Sequence, residues 1–162
     1  MCSSDLNAGG KTVVLKSLGL YALMAQCGLF IPANKAQFPI YTKFMADIGD
    51  RQSIEDDLST FSAHIQNLAT IVERADQNTL ILLDELGTGI DPDAGAALSR
   101  AIMESLIQKN CTVIATTHLG SLKVWASDEK GIINGGMIFD SEALAPTYEL
   151  QLGTPGASYA LE

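Results

Sequence analysis

Residues 79–93, "TLILLDELGTGIDPD", carry the decisive reading. Leu80, Ile81, Leu82 and Leu83 form a continuous apolar run, which lacks the alternation of a strand with one wet face. A run of this length ending in Asp84 and Glu85 reads as a parallel strand buried on both faces. Pro92 then sits where a first helical turn tolerates it, so "DPDAGAALSRAIMESLIQKN" (91–110) reads as a helix. One buried strand followed directly by a helix is the repeating unit of an α/β sheet.

The unit recurs on both sides. "CTVIATTH" (111–118) reads as a second buried strand that ends in His118. "STFSAHIQNLATIVERA" (59–75) has Phe61, Ile65, Leu68 and Val72 on one helical face, with Ser59 placed as its N-cap. "IYTKFMA" (40–46) is a strand candidate, and "DIGDRQSIEDD" (47–57) a polar loop. "GKTVVLKSLGLYALMAQCG" (10–28) repeats apolar residues at Val14, Leu15, Leu18, Ala22 and Ala25, and Gly28 suits its C-terminal cap. Downstream, "LGSLKVWAS" reads as a short helix, and "GIINGGMIFD" and "PTYELQLG" as antiparallel strands. "GASYALE" reads as the first turns of another helix. The expected fold is therefore α/β, a mainly parallel doubly wound sheet with antiparallel strands near the C-terminus. Its ligand site belongs at the carboxyl ends of the strands, where Asp84, Glu85 and His118 fall.

Composition narrows the class. The 162 residues are 47% hydrophobic, enough for one domain with a sizeable core. No apolar run reaches the length of a membrane span, and no secretory signal pattern is visible, so a cytoplasmic protein without membrane contact is expected. Cys2, Cys27 and Cys111 are too few and scattered for a disulfide framework or zinc site, and read as buried free thiols. A formal charge of −9 argues against this segment being the main nucleic-acid grip.

Two stretches carry chemistry. Gly9, Gly10, Lys11 and Thr12 match the end of a phosphate-binding loop. Such a loop needs close backbone approach to phosphate, a helix N-terminus, a lysine for the β- and γ-phosphates and a hydroxyl for Mg²⁺. The bland alternative is a chance "GGKT" turn before a helix. Asp84-Glu85 at a strand end supplies the complement: Asp84 to hold Mg²⁺ through its water shell, Glu85 to polarise the water that attacks a γ-phosphate. Two solvated acids capping a strand would be ordinary alone. With the loop they point to nucleotide hydrolysis, and His118 becomes a candidate γ-phosphate sensor. His64, within a helix, reads as a surface or packing residue. Ser59-Thr60-Phe61 open a helix and could form a second anion site, although an N-cap is the plainer reading.

Taken in order, "NAGGKT", "STFS", "LLDELGTGIDP" and "ATTHLGSLK" resemble the ABC-type ATPase domain of the MutS proteins. "ADIGDRQSIEDDLSTFSAHI" is most similar to the second bacterial type of MutS, the endonuclease and ribosome-rescue branch. The resemblance implies a P-loop NTPase of the ABC class that hydrolyses ATP with Mg²⁺. Two such domains would pair head to tail as a homodimer around two ATP molecules. Asn7, Ala8, Gly9, Gly10, Lys11 and Thr12 would hold nucleotide whose γ-phosphate meets Ser59 and Thr60 of the other copy. Asp91 would lie in the loop that communicates between the sites. Clamp arms acting on DNA or ribosomes, and a nuclease domain, would lie elsewhere in the parent protein. A mismatch-repair MutS is the alternative. An ATPase of a transporter or chromosome-structure protein would need an L-S-G-G-Q-like signature, where "DLSTFSAH" stands.

"MCSSDLNAGGKT" departs from this pattern, because Asp5 stands where the loop's first glycine belongs. The string GTG TGC TCT TCC GAT CTN encodes "MCSSDL" and resembles the end of a sequencing adapter. Residues 1–6 are therefore expected to be non-native, and 7–162 an N-terminally truncated MutS ATPase domain. By resemblance an aliphatic strand would precede the loop, and without it ATP should bind weakly.

Overall fold

The structure is a computed structural model that describes residues 10–49, 57–140 and 145–153. Its elements run α1 (Lys11–Gln26), β1 (Lys43–Asp47), α2 (Asp57–Arg74), β2 (Thr79–Leu83), α3 (Pro92–Gln108), β3 (Thr112–Ala115), α4 (Gly120–Asp128), β4 (Gly135–Asp140) and β5 (Ala145–Leu152). β1, β2 and β3 form a parallel sheet in that order, and β4 pairs with β5 antiparallel. The fold is thus α/β as expected, with helices on both faces of the parallel sheet.

β2 explains that layering. All five of its residues are buried, and their side chains alternate between faces. Leu80 and Leu82 pack with Leu15 and Ala22 of α1 and with Tyr41. Ile81 and Leu83 pack with Leu68 and Ile71 of α2 and with Ile102 and Leu106 of α3. A strand apolar at every position is what two covered faces demand.

α1 begins at Lys11 because Gly10 takes a left-handed conformation at φ 73°, which costs glycine nothing and any β-carbon-bearing residue strain. Gly28 follows the other end of that helix, also at φ 73°, and its amide donates to Ala25 O at 3.1 Å. α3 has Pro92 in its first turn, as expected.

Several expectations need correcting. α2 begins at Asp57, so Ser59 lies inside the first turn and is not the N-cap; an acid there suits the positive end of the helix dipole. Ile71, absent from the anticipated apolar face, is among its most buried residues. β3 is half-buried, not fully buried, because its outer edge has no strand partner among the described residues. A groove of ≈ 400 Å³ runs along that edge, lined in part by Val14 and Leu18 of α1 and Val113 and Ala115 of β3. Cys27 is exposed and Cys111 only partly buried, so the thiols are not a buried set. Cys2, residues 1–6, the loop 50–56 and "GASYALE" lie outside the described residues.

Candidate functional site

The carboxyl ends of β2 and β3 bring together some of the predicted residues, Thr12, Asp84 and Glu85. Asp84 follows β2 and is 9% exposed. Side-chain alternation turns it away from Leu83 and toward the α1 face, where Thr12 Oγ1 donates to its Oδ1 at 3.2 Å. Thr116, just past β3, donates to the same Oδ1 at 2.5 Å. The loop lysine's neighbour and the strand-end acid, 72 residues apart, are therefore in contact.

Thr116 does more than satisfy Asp84. Its hydroxyl accepts from Glu85 N at 2.8 Å, and its carbonyl accepts from Leu86 N at 2.8 Å. Those bonds hold Glu85 at φ 52°, a left-handed conformation that costs a non-glycine residue about 1–2 kcal/mol. Strain of this kind persists only where surroundings over-determine it, and it concentrates at functional sites. Thr116 was not among the sequence-predicted residues. A hydroxyl two residues ahead of the strand-end histidine was the available signal.

Lys11 opens α1, with its side chain exposed and facing the β3-edge groove together with Thr116, Thr117 and Lys123. Burial, and next the charge of Lys11, pull the Lys123 amine below the usual lysine range. Two lysines lining one groove beside a helix N-terminus would favour an anion there. On the other side of the loop, a β-carbon on Gly10 would lie 3.0 Å from Tyr148 Cδ1, so the β5 tyrosine covers this end of the loop.

His118 is exposed, three residues beyond β3. Asp91 caps α3, accepting from Asp93 N at 3.1 Å and Ala94 N at 3.2 Å; its position is that of an ordinary N-cap. The segment between Glu85 and Asp91 is seated by close backbone approach: a β-carbon on Gly95 would fall 2.2 Å from Gly87 O. Ser59 and Thr60 lie in the first turn of α2. Asn7, Ala8 and Gly9 lie outside the described residues. His64 packs between α2 and β1, as the packing alternative anticipated, and places Nδ1 2.5 Å from Asp47 Oδ2 with 11% of its side chain exposed.

Among the described residues no three His, Cys, Asp or Glu side chains cluster to hold a metal. No helix among them is long and apolar enough to cross a membrane.

The family described as MutS domain V matches residues 4–162. Proteins named Endonuclease MutS2 are 53% identical over 158 residues in Thermus thermophilus and 50% identical over 162 residues in Gemmatimonas aurantiaca. These alignments cover 98% and 99% of this chain but 21% and 20% of the relatives. A third, from Caldicellulosiruptor saccharolyticus, is 53% identical over 156 residues, 96% of this chain and 20% of its own. The chain thus spans about a fifth of the length of these curated relatives. With its match running nearly end to end, the chain belongs to the MutS domain V family.

Proposed function

We propose that this domain binds and hydrolyses ATP with Mg²⁺, as the P-loop, ABC-type engine of a MutS2-like protein. One observation carries the reading: Asp84 receives Thr12 from the start of α1 and Thr116 from the end of β3, beside the strained Glu85. A hydroxyl and a carboxylate in contact are hard oxygen donors of the kind Mg²⁺ takes. That ion needs only one or two protein ligands when phosphates and water complete its shell.

In this reading Gly10 and the α1 N-terminus present backbone N–H groups to phosphate, and Lys11 neutralises the β- and γ-oxygens. Thr12 and Asp84 hold Mg²⁺, which when bound neutralises charge on the phosphate oxygens. Glu85, its backbone fixed by Thr116, polarises the attacking water. His118, exposed beyond β3, reaches toward the γ-phosphate. Ser59 and Thr60 would meet the nucleotide of a second copy, so the working unit is a homodimer. The relatives' name, Endonuclease MutS2, favours the second MutS type over the mismatch-repair enzyme. DNA, ribosomes or both would be engaged by parts of the parent protein outside this domain.

The edge of β3 that has no strand partner among the described residues bears on affinity. β1, β2 and β3 advance in one direction with α2 and α3 on one face, while α1 lies on the other. Parallel crossovers are right-handed, so a parallel strand leading into α1 must lie on the β3 side of β1. β2 and β3 hold the nearer positions, leaving the groove beside β3. An upstream aliphatic strand seated there would anchor Gly10 and Lys11.

Nucleotide titration of two proteins tests both points: this chain, and one carrying upstream MutS2-type sequence with glycine at position 5. ATP should bind the longer protein at least tenfold more tightly, and Lys11→Ala should abolish binding. Equal affinity would remove the role of the strand; ATP binding undiminished by Lys11→Ala would remove the ATPase reading.

A further inference from the structure

Two acids end neighbouring strands and face opposite sides of the sheet. Asp84 turns toward α1 and Thr12. Asp47, level with Leu83 in the β1–β2 register, turns toward α2. One backbone bond joins them, Asp84 N donating to Asp47 O at 2.9 Å. Each carboxylate is thus tied to one helix, and the two are tied to each other.

The α2 attachment is specific. His64 Nδ1 donates to Asp47 Oδ2 at 2.5 Å, with 11% and 15% of the two side chains exposed. One helical turn on, Asn67 Nδ2 donates to Asp47 Oδ1 at 2.8 Å and to Ala46 O at 3.2 Å. Both carboxylate oxygens are therefore occupied from α2. His64 also lines a small crevice with Leu86 and Gly87, from the segment that follows Glu85. A nearly buried charge-assisted pair is costly to assemble and costly to break, so it fixes a geometry more than it adds stability.

We propose that His64, with Asn67, is a positioning residue that sets the start of α2 against the Asp84–Glu85 edge. The inference rests on the ATPase reading, in which α1 and Asp84 serve a domain's own nucleotide and Ser59 and Thr60 serve the partner copy's. The chain Thr12–Asp84–Asp47–His64 then links the two nucleotide sites through one backbone bond and two side-chain contacts. His64 touches no nucleotide. It acts by keeping Ser59 and Thr60, a little over one turn away on the same helix, at a set distance from Glu85.

The test uses the full-length protein that contains this domain, with His64→Ala, His64→Asn and Asp47→Asn compared with wild type. Titration with a non-hydrolysable ATP analogue reads the domain's own site, and the ATP dependence of hydrolysis reads coupling. His64→Ala should lower kcat about tenfold and reduce cooperativity, within the range of ordinary site–site coupling, while analogue Kd stays within about twofold. His64→Asn, whose amide can still donate to Asp47, should recover most of the lost rate. Should His64→Ala melt before assay, Asp47→Asn carries the test, because it keeps an acceptor and removes the charge. An unchanged kcat in His64→Ala, or in Asp47→Asn where that variant stands in, overturns the proposal, as does a rate that His64→Asn fails to recover. Lys11→Ala, run alongside, separates the failures: if it still binds nucleotide, the ATPase reading falls, whereas wild-type behaviour of the His64 and Asp47 variants removes only this link.

Discussion

The two ends of strand β2 are built for different purposes. At its amino end the charges of Lys43, Asp76 and Lys109 have internal partners. Asp76 accepts from Lys43, from Asn78 N and from the Thr79 hydroxyl. Lys109 donates to the carbonyls of Val72, Glu73 and Ala75, closing the C-terminus of α2. At the carboxyl end Asp84 is held by hydroxyls, Glu85 is strained, and Lys11 and His118 are exposed. Charge neutralised within the fold stabilises it; charge left facing outward is available to a ligand. The difference predicts that changes at the carboxyl end cost activity, and changes at the amino end cost stability.

The sharpest test is Glu85→Gln in the full-length protein. The side chain keeps its size and loses its basicity, so hydrolysis should fall by about 100-fold or more. The melting temperature should stay near wild type, since the backbone bonds to Thr116 remain. A melting temperature that falls along with the rate would erase the distinction between the two ends.

Lys109→Met probes the other end. The stem is retained and three carbonyls lose their donor, a loss of about 1–3 kcal/mol. Chemical denaturation should show that loss, while hydrolysis per folded molecule stays within about twofold. Lowered hydrolysis at full stability would contradict the comparison.

How far the sequence disclosed these ends depends on distance along the chain. β2 and α3 were legible because each is written in adjacent residues: an apolar run, two acids, a proline. Lys11, Thr12, Asp84 and Glu85 were legible as parts because each sits in a short motif. The contact between Thr12 and Asp84 spans 72 residues, and its meaning depended on the strand order. Thr116 and the His64–Asp47 pair were not legible for the same reason. A threonine or histidine becomes a ligand of a carboxylate only when the register brings them level. Nor does an apolar sequence such as "CTVIATTH" say whether its strand lies inside a sheet or at an open edge.

Thr116→Val lies between the two regimes and should cost something at both. The isostere removes the donor to Asp84 and the acceptor for Glu85 N. Stability should fall by about 1 kcal/mol. The Mg²⁺ dependence of hydrolysis should shift to higher concentration, because Asp84 loses a hydroxyl that orients it. Thr117→Val, which removes a bond from Leu86 O instead, should lower stability without moving the Mg²⁺ requirement. If both variants shift it equally, Thr116 has no special tie to the site.

The smallest effect belongs to Asp76. The Lys43 ammonium first, then Asn78 N–H and the Thr79 hydroxyl, hold its carboxyl below the usual aspartate value. A lowered folded pKa means that the folded state binds the proton more weakly than the unfolded chain. The ionised carboxylate therefore contributes stability at neutral pH, and that contribution is lost as pH falls from about 4 through the lowered value. Because the pair is half-exposed, water and salt screen it, and the loss is small. Asp76→Asn should flatten the acid limb of the melting temperature by a degree or so (roughly), and 1 M salt should shrink the difference. ATP hydrolysis at neutral pH should not change. A variant whose acid limb runs parallel to wild type would show that Asp76 acts only through its hydrogen-bonded turn, leaving Lys109 as the main charged support at this end of the strand.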